Sequence, residues 1–226
     1  EKNTIEDNLG IFLNKSYRMH NNINSYISEN FYENRLIVDQ KNIKQNIFIG
    51  SKKINGIHLI DLNHKNSSVQ NDDESEYIKI VYNNLLGKSW TDKNGTKKII
   101  TEDDILVITP YNAQVINIKN KLPSNSKVGT VDLFQGQEAP IVLASYTTSS
   151  PDLIGSGRGS DFLFDFRRLN VSISRAKSLA VILFNKNLLN YHCSSVSDIE
   201  KINYFCKLKE YETDPNNFLE IISGKA

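Results

Sequence analysis

Three short, unbroken apolar runs constrain this chain most: Ile105-Leu106-Val107-Ile108, Ile141-Val142-Leu143-Ala144 and Leu179 to Phe184. Each is too short for a helix, and none alternates apolar with polar residues as a half-exposed strand does. Strands of this kind are buried on both faces, which a parallel sheet covered by helices provides. Helical spacing appears before and between them. Asn21 to Asn34 carries Ile23, Tyr26, Ile27 and Phe31 on one side, and Glu74 to Leu86 carries Ile78, Val81, Leu85 and Leu86, with Gly87 as its stop. Ala113 to Leu122, Arg168 to Lys177 and Asn187 to about Tyr211 read as further helices. Ile57 to Leu62 and Lys127 to Leu133 read as further strands, Ser67 to Glu74 as loop, and Asn94-Gly95 as the turn of a surface hairpin between Trp90 and Lys98. Strand and helix in alternation predict an α/β domain with a mostly parallel β-sheet flanked by helices. A single domain is expected over residues 1–226, with a core of about 13–186 and a helical C-terminal extension of about 187–226.

Composition sets the class. With 39% hydrophobic and 23% charged residues, the chain has the make-up of a globular domain. No apolar run approaches the roughly 20 residues of a membrane-spanning helix. The opening Glu1-Lys2-Asn3 has no basic-then-apolar leader and no initiator Met, so a piece of a longer protein is expected, cytoplasmic (or nuclear if eukaryotic) and not secreted. Cys193 and Cys206 match no zinc spacing and suit a reducing compartment, and no metal site is expected. A net charge of +1 neither requires nor excludes nucleic acid, because a basic stripe can be balanced elsewhere on the surface.

Parallel sheets present ligands at the carboxyl ends of their strands. Three polar clusters are expected at such ends or beside them. Thr109-Pro110-Tyr111-Asn112-Ala113-Gln114 follows the first apolar run. Thr130-Val131-Asp132-Leu133-Phe134-Gln135-Gly136-Gln137-Glu138 leads out of a strand into a turn, and Arg167 to Lys177 precedes the last run. On a helix Arg168, Ser172 and Arg175 share one face, with Leu169, Ile173 and Ala176 on a neighbouring face. A stripe of guanidinium groups suits phosphate, whose oxygens it binds in pairs; it also suits a solvated face of salt bridges.

These clusters occur in one order with Leu13-Asn14-Lys15-Ser16-Tyr17-Arg18-Met19-His20, with Asn30 to Leu36, and with Asp161 to Asp165 before the double arginine. The order resembles the second RecA-like motor domain of superfamily 1 helicases, in the branch containing RNA-surveillance and Okazaki-fragment-processing helicases. The resemblance spans roughly Leu13 to Phe184. It implies that Arg18 and Arg175 are the arginine fingers reaching the γ-phosphate of ATP held by a first domain. It also implies that Glu138 binds the ribose, with Gly136 leaving room for the nucleotide. Thr109 and Thr130 are then hydroxyls for a nucleic-acid backbone, or else helix caps, and Tyr111 either stacks on a base or packs inside. Gln135 links the two surfaces, and Arg168 and Asn170 brace the cleft. Asn21, Ser172, Ser174 and Asp161 depart from the family's usual residues at small or loop positions.

The implied cofactors are ATP and Mg²⁺, both held mainly by the first domain. The implied partners are single-stranded nucleic acid, DNA or RNA, and that first RecA-like domain of the same protein; no membrane is implied. A Gly-rich loop ending in Lys-Ser/Thr is not among these residues: Gly87-Lys88-Ser89 has Tyr82 where the loop needs glycine, and it follows a helix rather than a strand. Gly155, Gly157 and Gly159 lack a following Lys-Ser/Thr and are expected in a mobile surface loop, and Asp103-Asp104 precedes a strand rather than ending one. The chain alone is therefore expected to be inactive. The competing expectation is a non-catalytic nucleic-acid-binding or scaffolding domain of the same fold. A nuclease finds no carboxylate–lysine cluster to support it.

Overall fold

The structure is a computed structural model that describes Thr4, Ile5, residues 8–154 and residues 159–225. Along the chain run β1 (Lys15–Ser16), α1 (Asn21–Phe31), β2 (Ile37–Val38), β3 (Asn46–Ile49), β4 (Lys52–Ile54) and β5 (Gly56–Ile60). Next come α2 (Asp72–Leu85), β6 (Ser89–Thr91), β7 (Lys97–Ile99), β8 (Ile105–Ile108), α3 (Asn112–Lys119), β9 (Lys127–Gly129) and β10 (Ala139–Ser145). The chain continues through α4 (Gly159–Leu163), α5 (Phe166–Ser174), β11 (Ala176–Leu183), α6 (Val196–Lys207) and α7 (Pro215–Ser223).

The three apolar runs form the middle of a five-stranded sheet in the order β5-β11-β10-β8-β9, parallel throughout. Every residue of β8 and β10 is buried. Helices cover both faces, as buried strands without alternation require. One face packs Leu106, Val142 and Ala180 against α1, α5 and α6. The other packs Val107, Leu143 and Val181 against α2, α3 and α7. This is the expected α/β RecA-like architecture.

Three expected elements are corrected. The strand from Lys127 stops at Gly129, where a Cβ would meet the Leu133 side chain at 2.3 Å. The chain then turns through a 3-10 segment, Val131–Phe134. The helix expected over Arg168 to Lys177 is α5, shifted toward the amino terminus. Asp165 caps it by accepting from the Arg167 and Arg168 amides, and Ala176 has already joined the sheet opposite Ala139. The continuous C-terminal helix is instead a 3-10 turn at Lys186–Asn190, then α6 and α7. The Trp90–Lys98 hairpin is real but belongs to a four-stranded antiparallel sheet, β4-β3-β6-β7, whose short strands gave little periodicity to read. Of the expected Gly/Ser loop, Gly155 and Gly157 lie outside the described residues, and Gly159 opens α4. Among the described residues no helix is long and apolar enough to cross a membrane.

His20 caps α1: its Nδ1 accepts from the Asn22 amide at 3.1 Å, which needs an unprotonated nitrogen. Burial lowers the His20 imidazole below its ordinary value of 6.5, against a backbone contact at Ile43 that raises it. Burial lowers His58 likewise, against Asn55. Both rings are held neutral in the fold, so the unfolded chain takes up protons that the native chain refuses. Their contribution is whole above pH 6.5 and is lost as pH falls through the lower folded values. We expect the melting temperature to drop between pH 7 and about 5, with a shallower drop in His20→Asn, whose amide oxygen caps without titrating. A pH-independent midpoint over that range contradicts this.

Candidate functional site

The β10–β11 register decides where the chemistry gathers. Ala139 lies opposite Ala176, and the Ala139 amide donates to the Arg175 carbonyl at 3.1 Å. Glu138 and Arg175, the residues just before this pair, therefore flank one corner of the sheet. Arg18, between β1 and α1, is drawn to the same corner, because the His20 amide donates to the Lys177 carbonyl at 2.7 Å. This corner is the amino edge of β10 and β11. The expectation that the clusters sit at or beside carboxyl ends is thus corrected for Glu138 and Arg175. The chain leaves the carboxyl end of β9, crosses one face of the sheet as the Val131–Phe134 turn, and re-enters at the amino end of β10.

Arg18 donates from Nε to Glu138 Oε2 at 2.6 Å and from NH1 to the Ser174 carbonyl at 3.0 Å. Lys177 Nζ takes the other Glu138 oxygen at 3.0 Å. Partial burial pushes the Glu138 carboxyl up, but Lys177 and Arg18 outweigh it and hold it below the ordinary carboxylate range. Glu138 is 40% exposed, so this pairing contributes little stability.

Arg175 is different. It is 6% exposed, and NH1 donates to the Gln137 carbonyl at 2.9 Å, while Nε has no partner. Burial lowers its affinity for its proton, and the charge of Arg18 lowers it further. Among the described residues no carboxylate pairs with Arg175. A buried cation facing a second cation, with a donor left unpaired, is costly unless an anion arrives.

A groove of about 370 Å³ opens beside it, between the Val131–Phe134 turn and α5, lined by Asp132, Gln135, Asp165, Arg168 and Arg175. Arg168 is occupied there: NH1 reaches Asp132 at 3.2 Å, Nε lies 3.7 Å from Asp165, and the guanidinium covers the Phe162 ring at 4.7 Å. Phe162 in turn packs on Tyr111, with centroids 5.7 Å apart. Ser172 Oγ donates back to the Arg168 carbonyl, and Arg175 keeps helical backbone angles as the last residue of α5's spiral, so the expected common face survives the shorter helix. Asn170 Nδ2 donates to the Tyr32 hydroxyl at 3.5 Å.

The remaining expected residues divide. Thr130 and Gln135 bracket the Val131–Phe134 turn, Thr130 half-buried and Gln135 exposed. Gly136 is exposed with φ +79°, and a Cβ there would touch nothing within 4 Å. The glycine is required by its left-handed backbone, not by crowding. Thr109 and Tyr111 are not brought to this surface. The Thr109 hydroxyl is buried and accepts from the Tyr111 amide at 3.5 Å, and the Tyr111 ring lies in the core. For Tyr111 packing prevails over presentation, because Phe162 covers it.

Sequence reasoning missed a buried polar network at the opposite rim. Glu74 is 1% exposed, its Oε1 is 2.9 Å from His64 Nε2, and its Oε2 accepts from the Thr147 amide at 3.1 Å and from the Ser145 hydroxyl. His64 Nδ1 reaches Ser149 Oγ at 2.7 Å, and Gln114 Nε2 donates to Ser145 Oγ at 2.9 Å. The signal was present: Glu74 shares the helical face of Ile78, Val81 and Leu85, a carboxylate on an apolar stripe. The expected helix began only at Glu74, whereas α2 starts at Asp72 with Asn71 as its cap, so Glu74 already lies inside the first turn.

A five-stranded parallel sheet with helices on both faces, carrying two arginines at one corner, defines an α/β domain of the RecA-like class. The family described as AAA domain matches residues 2–187, and the chain belongs to this family of superfamily 1 helicase domains. Similar proteins include DNA polymerase alpha-associated DNA helicase A of Schizosaccharomyces pombe, 29% identical over 80% of this chain and 28% of that protein. Helicase sen1 of the same yeast is 34% identical over 78% of this chain and 11% of its own length. The RNA helicase Mov10l1 of Mus musculus is 40% identical over 40% of this chain and 8% of its own length. The chain thus spans less than a third of each of these relatives.

If Arg175 is built for a ligand rather than for the fold, replacing it should not harm the fold. Arg175→Met removes a desolvated cation and its repulsion with Arg18, at the cost of one hydrogen bond to Gln137. We expect unfolding free energy unchanged within about 1 kcal/mol, or raised. A loss of more than about 3 kcal/mol in urea denaturation would make it a structural residue.

Proposed function

We propose that this chain is the second motor domain of an ATP-dependent superfamily 1 DNA or RNA helicase, supplying arginine fingers to ATP held by a first RecA-like domain. The observation that carries this reading is Arg175, a buried guanidinium with an unpaired Nε, no carboxylate partner among the described residues, and Arg18 beside it. Two neighbouring guanidinium groups, one of them with no carboxylate partner among the described residues, suit a polyphosphate. ATP hydrolysis supplies the free energy for movement. The part of this chain is to place positive charge where negative charge builds up during phosphoryl transfer. Arg175 is fixed by its burial. Arg18 is held by Glu138, and Lys177 holds that carboxylate from the far side, so Glu138 positions Arg18 and remains able to accept from ribose hydroxyls. Gly136 keeps the approach to Glu138 open.

The single-strand surface on this reading is the Thr130–Gln135 turn, whose donors position a backbone without reading sequence. Thr109 and Tyr111 act one layer below, shaping the loop through Phe162 and Arg168. On this reading ATP and Mg²⁺ are both held mainly by the first domain. The names of the relatives, which include both DNA and RNA helicases, support nucleic acid as the substrate class and leave its sugar open.

Two outcomes are expected. The isolated chain should hydrolyse ATP at well under about 1 s⁻¹ in a contaminant-free preparation, even with single-stranded nucleic acid present; measurable turnover contradicts the division of labour. In the full-length protein Arg175→Ala should lower strand-stimulated kcat by about 10³-fold or more while strand affinity changes only a few-fold. Unchanged turnover sinks the finger role.

A further inference from the structure

The small antiparallel sheet carries a charge that the rest of the chain conceals. Residues 40–54 and 87–100, which build it, hold eight lysines and one carboxylate, Asp92. The whole chain has a net charge of only +1, so everything outside this sheet is net negative. Such segregation is absent from a surface tuned only for solubility, where both signs intersperse.

The register shows which lysines share a face. Ile54, Ile47, Trp90 and Lys98 stand in one row across the four strands, and all but Lys98 are buried. The opposite face carries the row Lys53, Phe48, Ser89, Ile99, and beside it Thr91 opposite Lys97. Lys44 is tied to this side by the Thr91 hydroxyl, which donates to its carbonyl, and its side chain lies near Gly95 in the hairpin turn. Lys44, Lys53 and Lys97 are exposed, and among the described residues none of them forms an ion pair. The one carboxylate is spent elsewhere: Asp92 pairs with Lys98 at 3.1 Å.

We propose that this outer face is a second nucleic-acid contact, docking the phosphate backbone of a double-stranded segment. Lysine is a point charge suited to phosphates rather than to bases. Three strand spacings separate β4 from β7, about 14 Å, comparable with the roughly 12 Å width of a major groove. Lys53 and Lys97 therefore reach phosphates on both sides of one groove. A single strand is less suited, since Phe48 is half-buried and no aromatic ring stands clear on this face to stack unpaired bases. The sheet joins the parallel sheet at its amino edge, where β4 leads into β5 and β7 into β8. It thus borders the Arg18 corner: Gln45 donates to the Arg18 carbonyl at 2.6 Å, and Trp90 and Lys98 line a pocket with Arg18, Glu138 and Lys177. A duplex held there would lie beside the motor cleft. Docking of this kind needs only the charge and register of the small sheet and does not depend on the arginine-finger role.

The test is binding of the chain to a short labelled duplex, by fluorescence anisotropy over a series of salt concentrations. The triple variant Lys44→Glu/Lys53→Glu/Lys97→Glu should weaken binding at least tenfold near 0.1 M salt. The neutral triple Lys44→Gln/Lys53→Gln/Lys97→Gln, which guards against misfolding by added charge, should reduce the slope of log affinity against log salt by about 0.9 for each phosphate no longer neutralised. The control Lys65→Glu/Lys119→Glu/Lys209→Glu makes the same charge change on other exposed sites and should do neither. The idea is overturned if the unaltered chain does not bind duplex, or if the control weakens binding as much as the test variants. Weakening confined to a single-stranded probe, or binding only to vesicles of anionic lipid, overturns it equally.

Discussion

One pairing holds the candidate site together: β10 against β11, with Ala139 opposite Ala176. It fixes Glu138 and Arg175 as neighbours without any side-chain interaction between them. Pro140 offers no amide to the ladder, and the register shifts between Ala139 and Ile141, so the first pair is set apart from the continuous ladder that follows. That irregularity leaves the corner geometrically separate from the core. Beyond it, six residues of β10 lie in a fully buried strand, and displacing the corner means displacing the centre of the sheet. Arg175 can be buried without a counter-ion because the rest of the sheet supplies the stability that this residue withholds.

What the sequence revealed was whatever burial writes into composition. Ile105–Ile108, Ile141–Ala144 and Leu179–Phe184 are strands because a two-sided environment tolerates nothing polar, and that requirement is visible residue by residue. The amphipathic stripes of α1 and α2 were legible for the same reason. Boundaries were not. α5 ends early because Ala176 finds a strand partner 37 positions away in sequence, and no local propensity records that. The antiparallel sheet escaped notice beyond its hairpin because β3, β4, β6 and β7 are three or four residues long, too few for a period to show. Tyr111 and Phe162 illustrate the remaining gap. Each could stand at a surface, and only their contact explains why Tyr111 is inside.

Charge was the least legible quantity. A net +1 averages a lysine-covered sheet with a mildly acidic remainder, and the same average hides an arginine pair with a single shared neighbourhood. Local balance matters physically, since screening erases exposed interactions beyond about 10 Å. Glu138 lies within reach of Arg18 and Lys177 and is fully compensated, whereas Arg175, at the end of α5, has no such partner among the described residues. Two residues at one corner thus have opposite electrostatic situations, one compensated by neighbouring charges and one with an unpaired donor.

The two rims of the sheet make the same contrast at larger scale. At the carboxyl edge, where an open parallel sheet would ordinarily receive a ligand, Glu74, His64, Ser145 and Ser149 satisfy one another and are buried. The segment around Ser67 and Ser68 closes over them, taking the Ser149 amide and the Thr147 and Thr148 hydroxyls. At the amino edge the groups are charged and partly exposed, and one donor is unpaired. The sheet thus closes one rim with a buried hydrogen-bond network and leaves the buried Arg175 Nε without a partner at the other. On the proposed reading, Arg18 and Arg175 at that rim meet the phosphates and Glu138 the ribose of a nucleotide held by a first domain.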